Sequence, residues 1–118
     1  MSQVRFDEVV IDCRDPGALA EFWAGATGYE VTHSSEHWAS IVGEAERDVC
    51  IAFQRVPEEK VTKNRVHIDL SAPDEEAEAR RIEALGAVRR WTSDKPDDPF
   101  VVLADPEGNE FCIVRLHE

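Results

Sequence analysis

Basic residues are scarce in this chain: 13 Lys and Arg face 25 Asp and Glu over 118 residues, leaving a formal charge of -12. A field of that sign repels phosphate backbones and anionic lipid surfaces, so neither nucleic acid nor a membrane is expected as a partner. Cysteine is scarce too. Cys13, Cys50 and Cys112 are odd in number and show no C-x-x-C spacing, which excludes a disulfide framework and a structural zinc knuckle and leaves reduced thiols. No apolar run approaches the roughly 18 residues of a membrane span. Met1 to Asp15 carries Arg5, Asp7, Glu8 and Asp12 where a secretory signal would be apolar. The expectation is a cytoplasmic protein. Only six glycines and six prolines, beside 42% hydrophobic residues, exclude collagen-like and disordered classes and point to a single folded domain over 1–118.

What is present is a sequence written twice. Ile11-Asp12-Cys13-Arg14-Asp15-Pro16 pairs with Ile68-Asp69-Leu70-Ser71-Ala72-Pro73-Asp74, and Thr27-Gly28-Tyr29 pairs with Leu85-Gly86-Ala87, about half the chain apart. Asp15 and Pro16 open a helix over 16–26 in which Leu19, Phe22, Trp23 and Ala26 recur at helical spacing before Gly28. Pro73 and Asp74 open a second over 74–85, with Ala79, Ile82 and Leu85 as a narrower stripe, Glu76 four residues before Arg80, and Gly86 at the end. Runs rich in β-branched and aromatic residues at 4–12, 29–33, 37–42 and 48–55, then 65–71, 87–92, 100–104 and 109–116, read as strands. Each half is therefore β-α-β-β-β, the first over about 1–56 and the second over about 64–118, joined by a polar segment.

Alternation sorts the strand residues into two faces. Val66, Ile68 and Leu70 are expected under a helix, with Arg65, His67, Asp69 and Ser71 opposite; Phe111 and Ile113 oppose Glu110, Cys112 and Val114. Val9 and Ile11 oppose Phe6, Glu8, Val10 and Asp12, and Val49, Ile51 and Phe53 oppose Cys50, Ala52 and Gln54. The expected fold is α+β: two tandem βαβββ units forming a curved mixed sheet, a cup, with the helices on its outer face. Glu8, Gln54, His67 and Glu110 line the polar inner face of such a cup.

Three segments sharpen this: FWAGATGY at Phe22–Tyr29, RVHIDL at Arg65–Leu70 and ADPEGNEF at Ala104–Phe111. Together with the repeat, they resemble the glyoxalase/bleomycin-resistance/dioxygenase group, the vicinal oxygen chelate superfamily, along essentially the whole chain. The resemblance implies isomerase, lyase, dioxygenase, transferase or drug-binding roles. It also implies a homodimer in which unit one of one chain pairs with unit two of the other. In metal-using relatives, ligands stand on the first strand of each unit and on the last strand. Glu8 and His67 fill the first-strand positions, seven residues before Asp15 and Asp74. The last-strand position is Cys112, and the acidic residue is Glu110, one pleat or about 7 Å earlier on the same face. The implied metal set is Glu8, His67 and Glu110.

Imidazole and carboxylate donors of this kind hold Zn, Ni, Mn or Fe, with open positions for two oxygens of a substrate. In that reading the cofactor is one such divalent metal, Glu8 and Glu110 are the catalytic carboxylates, and Cys112 is either a soft fourth ligand or an apolar filler. The plainer alternative is a cup-lining His67 bonded to Asp69 or Glu8. Trp38, Gln54, Asp12, Cys112 and Arg65 are the ligand-binding candidates, Trp38 for stacking on a flat molecule and Arg65, clustered with Lys60 and Lys63, for a ligand carboxylate or a partner subunit. Trp23 reads as core, His33 and His37 as solvated neighbours of a hairpin, and His117 as a surface histidine. Two functions stand: a metal-dependent lyase or isomerase on a small oxygen-rich metabolite, and a metal-free protein that sequesters a flat or cationic small molecule.

Overall fold

The structure is a computed structural model and describes residues 2–116, so the surface reading of His117 falls outside the described residues. Unit one, Met1–Glu59, contains β1 (Glu8–Cys13), α1 (Pro16–Thr27), β2 (Glu30–Ser34), β3 (Trp38–Val42) and β4 (Cys50–Arg55). Unit two, Lys60–Glu118, contains β5 (Asp69–Ala72), α2 (Glu75–Glu83), β6 (Val88–Thr92), β7 (Phe100–Ala104) and β8 (Glu110–Arg115). Both are βαβββ, as expected. Each forms its own four-stranded mixed sheet, in the orders β1-β4-β3-β2 and β5-β8-β7-β6. In each, the first strand pairs parallel with the last and the other pairings are antiparallel. No helix among the described residues is long and apolar enough to cross a membrane.

Local chemistry sets the helix ends. Asp15 Oδ1 accepts from the Ala18 N–H at 3.1 Å, Pro16 occupies the first turn, and Gly28 takes φ 79° while its N–H reaches the Ala24 carbonyl at 2.8 Å. A side chain with a Cβ would be strained at that φ. α1 then buries Leu19, Ala20, Phe22, Trp23 and Ala26 above Ala39, Ile41, Ile51 and Phe53 of its sheet. Asp74 caps α2 in the same way, accepting from the Ala77 N–H at 3.0 Å. α2 ends two residues earlier than its sequence suggests. The Ala87 N–H bonds back to the Ile82 carbonyl at 3.3 Å, and Leu85, expected on the apolar stripe, is exposed. Ala79 and Ile82 carry the buried face, above Val101, Leu103, Phe111 and Ile113.

The first strands of both units are shorter than expected. β1 is an edge strand whose pairing with β4 begins at Glu8 opposite Cys50, so residues 4–7 have no ladder to join, and Val4 and Phe6 are exposed. β5 likewise begins at Asp69, opposite Cys112. Arg65 to Ile68 precede it as a bend rather than a strand. Val66, expected under α2, is therefore exposed, while Ile68 and Leu70 are half-buried and only Ala72 reaches the core.

Candidate functional site

Among the described residues, one group has three ligand-bearing side chains within 4.8 Å of one another: His67, Asp69 and Cys112. Its assembly follows from the register. Parallel pairing sets Asp69 of β5 opposite Cys112 of β8, and His67, two residues before Asp69, reaches back so that its Nε2 lies 3.2 Å from Asp69 Oδ1. The Cys112 N–H donates to the Ile68 carbonyl at 3.0 Å, which ties β8 to the residue between them. His67 and Asp69 are exposed and Cys112 half-buried, so the group opens to solvent. Burial pushes the Cys112 thiol above its ordinary value; the neighbouring Asp69 carboxylate adds to this, and Lys63 opposes it. The thiol is thus neutral unless a cation displaces its proton. Imidazole, carboxylate and thiol make a borderline-soft donor set suited to zinc and related ions.

Glu110 stands on the same strand, yet its side chain is engaged elsewhere. Lys63 Nζ lies 3.4 Å from its Oε1. Asn64 clamps its backbone, accepting from the Glu110 N–H at 2.8 Å and donating to its carbonyl at 3.2 Å. Glu8, half-buried at the start of β1, belongs to unit one, whereas His67 and Glu110 belong to unit two. In unit one Trp38, Gln54 and Asp12 follow one another across β3, β4 and β1, since Trp38 pairs with Gln54 and Gln54 with Asp12. Trp38 is half-buried and the other two are exposed; Arg65 is exposed in the bend before β5.

Asp69 is the member that sequence reasoning noted only as a partner for His67. The His67-x-Asp69 spacing was the available signal, because residues two apart on an extended segment share a face. A second feature was missed altogether: an open cleft of about 340 Å³ at one end of the unit-one sheet, lined by Arg14, His37, Arg55, Val56 and Pro57.

The sequence matches the model of the glyoxalase-like domain over residues 8–114. The chain belongs to that family. Its fold is shared with solved members of the glyoxalase/bleomycin-resistance/dioxygenase group that its repeat resembles. No curated protein matches it at a significant level. Among solved structures, it is similar to a glyoxalase/bleomycin resistance protein/dioxygenase family enzyme from Burkholderia phytofirmans, at a TM-score of 0.79 and 19% identity, covering 97% of this chain and 100% of that one. It is similar to a fosfomycin resistance protein from Listeria monocytogenes complexed with manganese(II) and a dihydroxypropylphosphonic acid, at 0.75 and 14%, covering 97% and 90%. It is also similar to the bleomycin-binding protein of Streptomyces verticillus complexed with copper(II)-bleomycin, at 0.68 and 16%, covering 99% and 100%. At these identities the likeness is one of fold. The glyoxalase-like repeat explains why unit two can present His67 and Cys112 where unit one presents Glu8 and Ala52: the registers Val10 with Ala52 and Asp69 with Cys112 are the same pairing in two copies.

Proposed function

We propose that this glyoxalase-like protein binds a small oxygen-rich metabolite at a divalent metal held by His67, Asp69 and Cys112. The observation that carries the reading is the convergence of those three donor atoms within 4.8 Å on an open face. Three protein donors leave positions vacant for a ligand, the arrangement that lets a metal act as a Lewis acid on vicinal oxygens. Glu110, on the same face of β8, is the carboxylate placed to accept or return a proton, with Lys63 Nζ 3.4 Å from its Oε1. We further assign the protein to the cytoplasm, where its three free thiols stay reduced, and to a homodimer, whose contact would cover apolar residues such as Phe6 and Val66 that are exposed in the single chain. Light scattering that gives the monomer mass at every concentration would overturn the dimer.

The metal is tested by thermal unfolding with added Zn, Ni or Mn. An ion that binds only the native state stabilises it by RT ln(1 + [L]/Kd), about 2.7 kcal/mol at a hundredfold excess over Kd. The response should fall at acidic pH, where protons compete for all three donors. A His67→Ala, Cys112→Ala double variant should lose it. If wild type and double variant respond alike to all three metals, the reading fails.

One observation supports a metal-free alternative. The succession of Trp38, Gln54 and Asp12 across neighbouring strands offers an aromatic surface, an amide and a carboxylate in one row, a set suited to a flat cationic molecule. Quenching of tryptophan fluorescence by a flat cationic dye, undiminished by chelator and lost in Trp38→Ala, would favour sequestration over metal chemistry.

A further inference from the structure

The cleft at the end of the unit-one sheet has no counterpart in the chemistry above, and the repeat shows how it arises. Arg55 of β4 pairs with Cys13 of β1, so Arg14 follows at the same sheet end, and the Arg55 N–H donates to the His37 carbonyl at 3.0 Å, bringing His37 there too. In unit two the equivalent arginine is Arg115, which pairs with Ala72 and whose N–H donates to the Pro99 carbonyl at 3.4 Å. Arg115 is consumed by the first turn of α2, its Nε 2.6 Å from Oε1 of the buried Glu75. The first residue of α1 is Pro16 instead, so Arg55 has no helix carboxylate to meet and lines the cleft. The residues that follow β5 and precede β7 in unit two are Pro73 and Pro99; in unit one the matching places hold Arg14 and His37. Three cationic or ionisable groups thus gather in the copy where the other has an internal ion pair and two prolines.

We propose that this cleft is a binding site for a phosphate-like dianion, the head group of a phosphomonoester. Two guanidiniums and an imidazole offer the donors that a tetrahedral oxyanion takes. The surface carboxylates that the two arginines meet are weak competitors. Arg14 Nη1 meets Glu59 at 3.1 Å and Arg55 Nη1 meets Glu36 at 2.8 Å, yet the Glu59 and Glu36 side chains are 77% and 72% exposed, more than the arginines they touch. Exposed pairs of this kind exchange readily with solvent ions. The remaining acidic charge of the chain is screened beyond roughly 8–10 Å at physiological salt, so the local cations decide what enters. This site is independent of the metal reading, since all its residues lie in unit one.

The test uses the whole chain and inorganic phosphate as the probe, titrated at ionic strength held constant with sodium chloride, with thermal unfolding as the readout and acetate as the monoanion arm. Phosphate should raise the melting temperature saturably and acetate should not. An Arg14→Ala, Arg55→Ala double variant should bind phosphate roughly tenfold more weakly or worse. Glu36→Gln keeps both guanidiniums, removes a competing carboxylate and should tighten phosphate binding about two- to fivefold. The proposal is overturned if the double variant responds as wild type does, if acetate equals phosphate, or if Glu36→Gln leaves the affinity unchanged.

Discussion

Units one and two share element order, register and helix N-caps, and they are stabilised by different physics. α1 is almost wholly apolar and sets Phe22 and Trp23 deep against its sheet, Trp23 at 1% exposure. α2 is nine residues, rich in charge, and buries only Glu75, Ala79 and Ile82. Ion pairs supplement that small apolar face. Arg89 on β6 holds Glu76 and Glu83 at 2.8 and 2.9 Å, and Arg115 on β8 grips Glu75. The duplication shows that one backbone pattern accepts either solution, because the pattern fixes which positions face inward and leaves open whether apolar area or paired charge fills them. It also separates the sites: the metal-capable group lies in the charged unit, the cationic cleft in the apolar one.

The sharpest way to break this contrast is truncation of each unit's helix anchor. Trp23→Ala should cost about 3–5 kcal/mol, from lost apolar burial plus the cavity left behind, and Ile82→Ala about 2–4 kcal/mol. Urea denaturation measures both, and a larger loss at Ile82 would mean that α2 carries more of the apolar stabilisation than its short buried face suggests. Next in size is Arg115→Ala. It strips the bidentate partner from Glu75, a carboxylate only 7% exposed, and should cost about 1–3 kcal/mol, whereas Arg55→Ala at the same register in unit one should cost under about 1 kcal/mol, because its partner is at the surface. Equal losses at the two arginines would erase the distinction on which the cleft rests.

The helix caps probe what the units have in common. Asp15→Ala and Asp74→Ala each remove one carboxylate that accepts from an N3-region N–H, and each should cost about 1 kcal/mol in denaturation. A cap that matters in only one unit would show that the other helix is held by packing alone.

The caps were legible in the sequence because the information is local: Asp15-Pro16, Asp74 and Gly28 act within a turn of themselves. The faces of β8 were legible for the same reason, Phe111 and Ile113 being buried and Cys112 half-buried as alternation requires. What stayed hidden depends on partners far along the chain. That Asp69 joins His67 and Cys112 follows from a parallel register between strands some forty residues apart, which alternation within either strand does not specify. Val66 looked buried because the sequence continues an apolar alternation past the point where β8 stops offering a partner. The neighbours of Glu110 were hidden too, since only the folded chain brings Lys63 to its carboxylate and Asn64 to its backbone. The cleft escaped notice because its three polar residues sit at three separate strand ends.

The smallest expected effect tests the charged unit directly through pH. Arg89 donates to both oxygens of Glu76, and this bonding, with Arg80 adding to it, holds the Glu76 carboxyl down from 4.5 to about 2. A carboxyl whose pKa is lower in the folded state favours folding while it is ionised in both states, above about 4.5. That stabilisation is lost progressively as pH falls from about 4.5 toward 2, where the folded form too takes up the proton. Glu76 is more than a third exposed, so solvent screening limits the gain to about 1 kcal/mol or less. Other carboxylates also titrate in this range, and the informative quantity is therefore the difference between wild type and Glu76→Gln. Urea denaturation at steps across that range should show wild type more stable than the variant above about pH 4.5 and the two converging below it. A difference that stays constant with pH would mean that Arg89 holds Glu76 by shape rather than by charge, and that α2 owes less to ion pairing than its composition implies.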